Sequence, residues 1–312
     1  MHHNRNLSIF NFNMKKFIIH ILLLGMIVAV SIGFIFSRTD GYADAFYLKF
    51  TGVKKSNLIL GTSKAAQGLQ PSIFKNIVGN DFYNYAFAMY ASPYGKAYLQ
   101  SIKNKLNKID TNQIFILSVD PWSLSTRTIA PNDSLHFREN KSYISDITNP
   151  NQKINYAYLL NNFDESYYKI LTKNSVAFLH QNGWLEVTLP NDSRSITRRR
   201  NFTISGYQNK INQYQFSSIR YDYLLKTIAY LKNYGRVYLV RLPIHPTLMK
   251  IENQLMPNFN SDIQIAVEHS DGYLDLSPDN INFEYTDGVH LNKRSGTKVS
   301  SIISNWINKV EG

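Results

Sequence analysis

Two short stretches carry side chains that could act together. Near the C-terminus the chain reads EYTDGVHLN from Glu284 to Asn292, with Asp287 three residues ahead of His290. Near the N-terminus it reads LILGTS, ending on Ser63. A hydroxyl is a poor nucleophile until a base accepts its proton, and an imidazole base works best when a carboxylate fixes its tautomer and stabilises its cation. Asp287 and His290 can supply both groups from a single turn. Ser63 follows a glycine turn at the end of an apolar run, which would leave backbone N–H groups nearby for an oxyanion. Taken singly, each stretch is more often only a turn, so the elements that would bring them together decide the matter.

Five short apolar runs read as buried strands: 57–61, 82–88, 113–120, 236–243 and 272–277. Helical patterns separate them. One runs from Ser92, with Ser92 as cap and Pro93 in the first turn; another runs from Ser217 and is closed by Gly235; a last amphipathic helix spans about 293–310. Alternating strands and helices, with strands apolar on both faces, predict an α/β fold: a three-layer α/β/α sandwich around a parallel five-stranded sheet. Ligands of such sheets bind at the carboxyl ends of the strands. Residues 121–215 are about twice as long as a simple crossover and read as an insertion over one end of the sheet, with a helix around 155–171.

From Phe17 to Phe36 twenty residues run without a formal charge, about 30 Å as a helix and enough for one hydrocarbon core. A secretory signal would have a shorter apolar region. Arg5, Lys15 and Lys16 precede the run and no acid appears before Asp40, so the positive-inside tendency predicts a cytoplasmic N-terminus. The expected organisation is a cytoplasmic tail at 1–16, an anchor at 17–36, a connector at 37–55 and a folded domain at 56–312. In a bacterium this is a single-pass inner-membrane protein with its domain outside. The net charge of +12 then points to acidic envelope polymers or lipid rather than nucleic acid. The basic run Thr197–Arg200 reads as a solvated loop or a polymer contact. With no cysteine there is neither a disulfide nor a thiolate metal site. His136, His180 and His269 lack metal-ligand spacing and GTSKAAQG lacks a P-loop ending, so no metal or cofactor is expected.

The Gly61-Thr62-Ser63 strand end and the closing Asp287-x-x-His290 resemble the first and last blocks of the SGNH (GDSL-type) esterase and acyltransferase superfamily, over about residues 56–310. The resemblance implies the flavodoxin-like fold of that family, Ser63 as nucleophile, His290 as general base and then acid, and Asp287 as its orienting partner. The anchor, the VDPWSL third strand end and DGVHLN look closer to the membrane-anchored branch than to secreted lipases, and that branch is similar to proteins that work beside membrane-bound O-acyltransferases on teichoic acids or exopolysaccharides. That implies a cell-envelope polysaccharide, or its acyl ester, as substrate and an O-acyltransferase as partner. Three positions depart from the pattern. Thr62 stands where the family has aspartate, and Gly95 matches the second-block glycine only loosely. Asp120 stands where the family has an oxyanion-binding asparagine, and an ionised carboxylate cannot donate a hydrogen bond. Asn84 is the expected replacement, with the Ser63 N–H as the other donor. Arg241 and His245, after the fourth strand, could meet an anionic substrate, although a structural histidine before proline is the commoner case. The competing reading is an inactive SGNH-like shell that binds a glycan or a membrane partner.

Overall fold

The computed structural model describes residues 14–127 and 129–311. Most of the expected cytoplasmic tail, residues 1–13 with Arg5, lies outside the described residues. Helix α1 (Met14–Ser37) is long and apolar enough to cross a membrane. Its side chains are exposed along nearly its whole length until Phe36, which is 1% exposed and belongs to the core of the folded domain.

Beyond it, strand β1 (Leu58–Leu60) leads into helices α2 (Ser63–Gly68) and α3 (Pro71–Val78). Strand β2 (Tyr83–Asn84), helix α4 (Lys96–Lys105) and strand β3 (Gln113–Ser118) follow. The long insertion contributes α5 (Tyr156–Asn161), α6 (Tyr168–Thr172) and α7 (Ser193–Ile211). The chain then returns through α8 (Ser218–Leu231), β4 (Gly235–Arg241), α9 (Pro246–Leu255), β5 (Gly272–Asp275) and the closing helix α10 (Lys293–Glu311).

The five strands form one parallel sheet in the order β2-β1-β3-β4-β5. Successive strand side chains point to opposite faces, and here both faces are apolar. Leu58, Leu60, Phe115, Leu117, Val237 and Leu239 meet Tyr98 and Ile102 of α4 and Leu224 and Ile228 of α8. Ile59, Ile114, Ile116 and Val240 meet Phe74 of α3 and Val299, Ile303 and Ile307 of α10. This is the α/β architecture with a parallel sheet read from the sequence. Although β2 is formally two residues long, its ladder with β1 continues: Tyr85 N–H donates to the Ile59 carbonyl at 2.8 Å and Phe87 N–H to that of Gly61 at 3.2 Å.

Several local expectations need correction. Helix α4 starts at Lys96 after Gly95, and Ser92 does not cap it. Instead the Ser92 hydroxyl donates to the Gly61 carbonyl at 2.8 Å and accepts from Phe87 N–H, fastening the turn after β1. Ser217 does cap α8, accepting from Arg220 N–H at 3.3 Å, but Gly235 opens β4 rather than closing that helix. The helix expected around 155–171 is two short ones, broken where Asn162, Asp164 and Ser166 favour turns. Thr197–Arg200 lies within α7, not in a loop.

The insertion also reaches beyond one end of the sheet. Its hairpin, Ala177–Leu179 with Leu185–Val187, lies beside edge strand β2, where Asn84 N–H donates to the Asn182 carbonyl at 2.9 Å. The connector 37–55 is packed rather than loose: Ala43, Tyr47, Lys49 and Phe50 are all buried. Asp44 accepts from Phe46 N–H, Tyr47 N–H and the Tyr158 hydroxyl, and Asn155 donates to the Phe50 carbonyl, joining the connector to the insertion.

A Cβ on Gly235 would stand 1.9 Å from the Gln113 carbonyl oxygen on the neighbouring strand. Gly235→Ala should therefore destabilise the detergent-solubilised chain by about 1–3 kcal/mol through overpacking. Unfolding midpoints measured beside Ser217→Ala, which should cost about 1 kcal/mol through its lost cap, would check the size.

Candidate active site

Ser63, at the start of α2, meets the 287–290 turn at the carboxyl edge of the sheet. Gly61 makes the strand-to-helix turn with φ +136, a region that L side chains avoid, and a Cβ there would lie 2.8 Å from the Ser118 Cβ. At the other end, Gly288 takes φ +94. Thr286 N–H donates to the His290 carbonyl at 2.9 Å, closing the turn around it.

The three polar side chains form one hydrogen-bonded chain. His290 Nδ1 lies 2.7 Å from Asp287 Oδ2, and His290 Nε2 lies 2.9 Å from Ser63 Oγ. An ionised carboxylate only accepts, so the imidazole hydrogen belongs on Nδ1 and the Nε2 lone pair faces the serine hydroxyl. Asp287 Oδ1 accepts from the N–H groups of Val289 and His290, each at 2.9 Å. Burial pushes the Asp287 carboxyl up, but the His290 charge and these hydrogen bonds outweigh it and hold the group at about 2. Both the tautomer and the ring direction of His290 are thereby set from one turn.

Helix α2 is held from three sides. Lys64, next to the serine, is 5% exposed and places its ammonium 3.3 Å from Asp120 Oδ2 and 2.7 Å from Glu252 Oε2. Arg241 completes the cluster, 3.2 Å from Glu252 Oε1. Burial alone would lower the Lys64 value, yet the two carboxylates raise it. From the second side, Asn84 Nδ2 donates to the Ala65 and Leu69 carbonyls at 2.8 and 2.9 Å. From the third, Trp184 Nε1 donates to the Gln67 carbonyl at 2.8 Å.

These contacts correct the expectations for Asn84 and Arg241 and give Asp120 a role other than oxyanion or substrate binding. Asn84 has committed both amide hydrogens to α2 and is fully buried, so it has none left for an oxyanion. Asp120 is a buried partner of Lys64 and accepts from Ser123 N–H at 2.8 Å. Arg241 is turned inward, toward Glu252 and over the Phe259 ring at 4.5 Å, so the expected anionic ligand is replaced by an internal carboxylate. Ser63 N–H remains as a first-turn donor without an intrahelical acceptor.

His245 takes a different position. It precedes Pro246 at the start of α9, its N–H donates to the Gly288 carbonyl at 2.8 Å, and its Nε2 lies 3.3 Å from Arg200 Nη1. Burial and the Arg200 charge push its imidazole below the usual range. It lines a cleft of about 560 Å³ bordering the triad turn, whose polar walls include Asn191, Arg200, Glu284 and Asn292. A separate cavity of about 410 Å³ is walled by Tyr90, Trp122 and Tyr214 among others; the lining of neither cavity includes Ser63, Asp287 or His290, and the larger one reaches the 287–290 turn only through Gly288. Among the described residues, no group of three or more His, Asp or Glu comes together as a metal site.

Sequence reasoning missed Lys64, Glu252 and Trp184, and had Arg200 only as the end of the basic run 197–200. Lys64 carried a signal through its place beside Ser63, whereas Glu252 is 188 residues away from it. No known family model matches the chain, and no curated protein matches it.

Removing the Lys64 ammonium leaves Asp120 and Glu252 facing each other in a dry interior. Lys64→Met should destabilise the chain by about 3–5 kcal/mol, read from chemical unfolding, and adding Glu252→Gln should recover part of that loss. Asp287 is depressed in the folded state, so its stabilisation is complete above the unfolded value near 3.8 and is lost as pH falls through about 2. Between those values Asp287→Asn should show a shallower acid-induced fall in stability than the parent chain.

Proposed function

We propose that the chain is a membrane-anchored, extracytoplasmic serine esterase or O-acyltransferase of the SGNH type, acting on acyl, chiefly acetyl, esters of a cell-envelope polysaccharide. The observation that carries this reading is the continuous Ser63–His290–Asp287 hydrogen-bond chain at 2.9 and 2.7 Å. The apolar α1 with Lys15 and Lys16 at its start supports an anchor whose N-terminus is cytoplasmic. The polar cleft beside the triad turn suits a polyhydroxylated acceptor, and a membrane-bound O-acyltransferase is the partner that would supply the acyl group.

In this mechanism Ser63 Oγ attacks the ester carbonyl carbon while His290 Nε2 takes its proton. The carbonyl oxygen becomes an oxyanion, met by the Ser63 N–H. Collapse breaks the bond to the leaving alkoxide, which takes the proton back from His290, and the acyl group stays on Ser63. Water or a polymer hydroxyl then attacks, giving its proton to His290. The serine is restored when the second intermediate collapses. Asp287 stays ionised throughout and steadies the imidazolium formed at each stage.

One observation favours a second reading. With Asn84 committed to α2 and Asp120 to Lys64, neither supplies a further oxyanion donor. A shell that binds a glycan or a membrane partner without turnover would have this feature. The two readings separate on the intact, detergent-solubilised protein. An activated Ser63 should form a fluorophosphonate adduct absent from Ser63→Ala, and that variant should lose a factor of about 10³ or more in hydrolysis of small acetyl esters. Equal turnover by both proteins would end the catalytic assignment.

A further inference from the structure

We propose that α5 and α6 form a membrane-seating surface that lies in the headgroup layer of the bilayer crossed by α1. The proposal rests on reading α1 as the membrane span. The apolar run ending at Phe36 matches one hydrocarbon core, about 30 Å, so Phe36 stands at its boundary with water. There its ring packs against Tyr156 of α5 and Tyr167, the residue preceding α6, with centroid distances of 6.1 and 5.1 Å. Both short helices therefore begin within one side chain of the end of the span.

Beside exposed Asn161 and Thr172, they turn several large apolar and aromatic side chains outward. Tyr168 is 71% exposed, Leu160 62%, and Tyr156 and Leu171 48% each. Left in water this cluster is a cost with no compensation; at the edge of a bilayer, leucines enter the acyl boundary while tyrosine rings lie among headgroups with their hydroxyls wet. Charge is not the driving force. Lys169 is already paired with Glu165 at 2.6 Å, and Lys173 with Asp40 at 2.5 Å. The second pair also ties the end of α6 to the residues just after the span. The surface thus fits a lipid bilayer through apolar burial, and zwitterionic lipid is sufficient for it.

The chain has no cysteine, so single labels can be introduced without background. Full-length Ile27→Cys, Tyr168→Cys, Leu171→Cys and Ile281→Cys variants would each carry a small fluorophore and be reconstituted into phosphatidylcholine vesicles with brominated acyl chains. Ile281 is 77% exposed and follows β5, at the sheet edge opposite β2. The expected result is strong quenching at Ile27 in mid-span. Quenching at Tyr168 and Leu171 should be at least about threefold that at Ile281 and insensitive to salt, as for helices seated about 5–10 Å into the interface. Strong quenching at Ile27 with none beyond the Ile281 level at Tyr168 and Leu171 would overturn the seating surface while leaving the anchor intact. No quenching at Ile27 would remove the anchor reading and the proposal with it.

Discussion

The carboxyl edge of this sheet is organised around one buried cation. Lys64 sits between Asp120, which follows β3, and Glu252 of α9, and Glu252 in turn holds Arg241 at the end of β4. Two positive and two negative side chains, each at most 5% exposed, balance one another within this cluster. A buried ion pair is seldom a net source of stability against an apolar replacement, because desolvation consumes most of its Coulomb energy. Its strength is that it tolerates very few arrangements. An α2 rotated or shifted along its axis would strand an ammonium away from its carboxylates, so the neighbouring serine is fixed by charges buried beneath it.

The same economy applies to Asn84. As an isolated amide beside the strand ends it reads as a donor available to chemistry. In the folded chain it caps the carbonyls of α2, while its own oxygen accepts from Lys49, a fully buried lysine whose ammonium is disfavoured by burial. Connector, edge strand and α2, the helix that begins with Ser63, are therefore linked through one side chain.

The sheet was legible because its strands are short, apolar runs, three of them bordered by Gly61, Gly235 or Gly272, and a parallel sheet covered on both faces needs little more. Asp287 and His290 were legible as a pair because their spacing lies within one turn. The failures follow from physics that sequence windows do not contain. Ser92 looks like a helix cap, but its hydroxyl is drawn to Gly61 by the fold of a turn thirty-one residues earlier. Gly235 looks like a helix terminator, but it is required by a carbonyl on the adjacent strand. Arg241 looks available to a ligand because its partner, Glu252, is an unremarked residue on an amphipathic helix, and Asp120 lacks an evident role because its partner is Lys64, fifty-six residues earlier in the chain. Long-range electrostatic pairing leaves no local trace.

Phe36 is the last apolar residue of α1 and a member of the domain's core, with Ile35 half-buried beside it. Many tethered enzymes hang from a flexible leash and search a hemisphere of space set by its length. A joint made of packed rings has no such radius. If α1 crosses a bilayer and Ser63 carries the proposed reaction, the serine stands at one altitude and one bearing above the membrane, and a reacting hydroxyl or ester has to be delivered to that point. Reach would then be a property of the substrate, not of the protein.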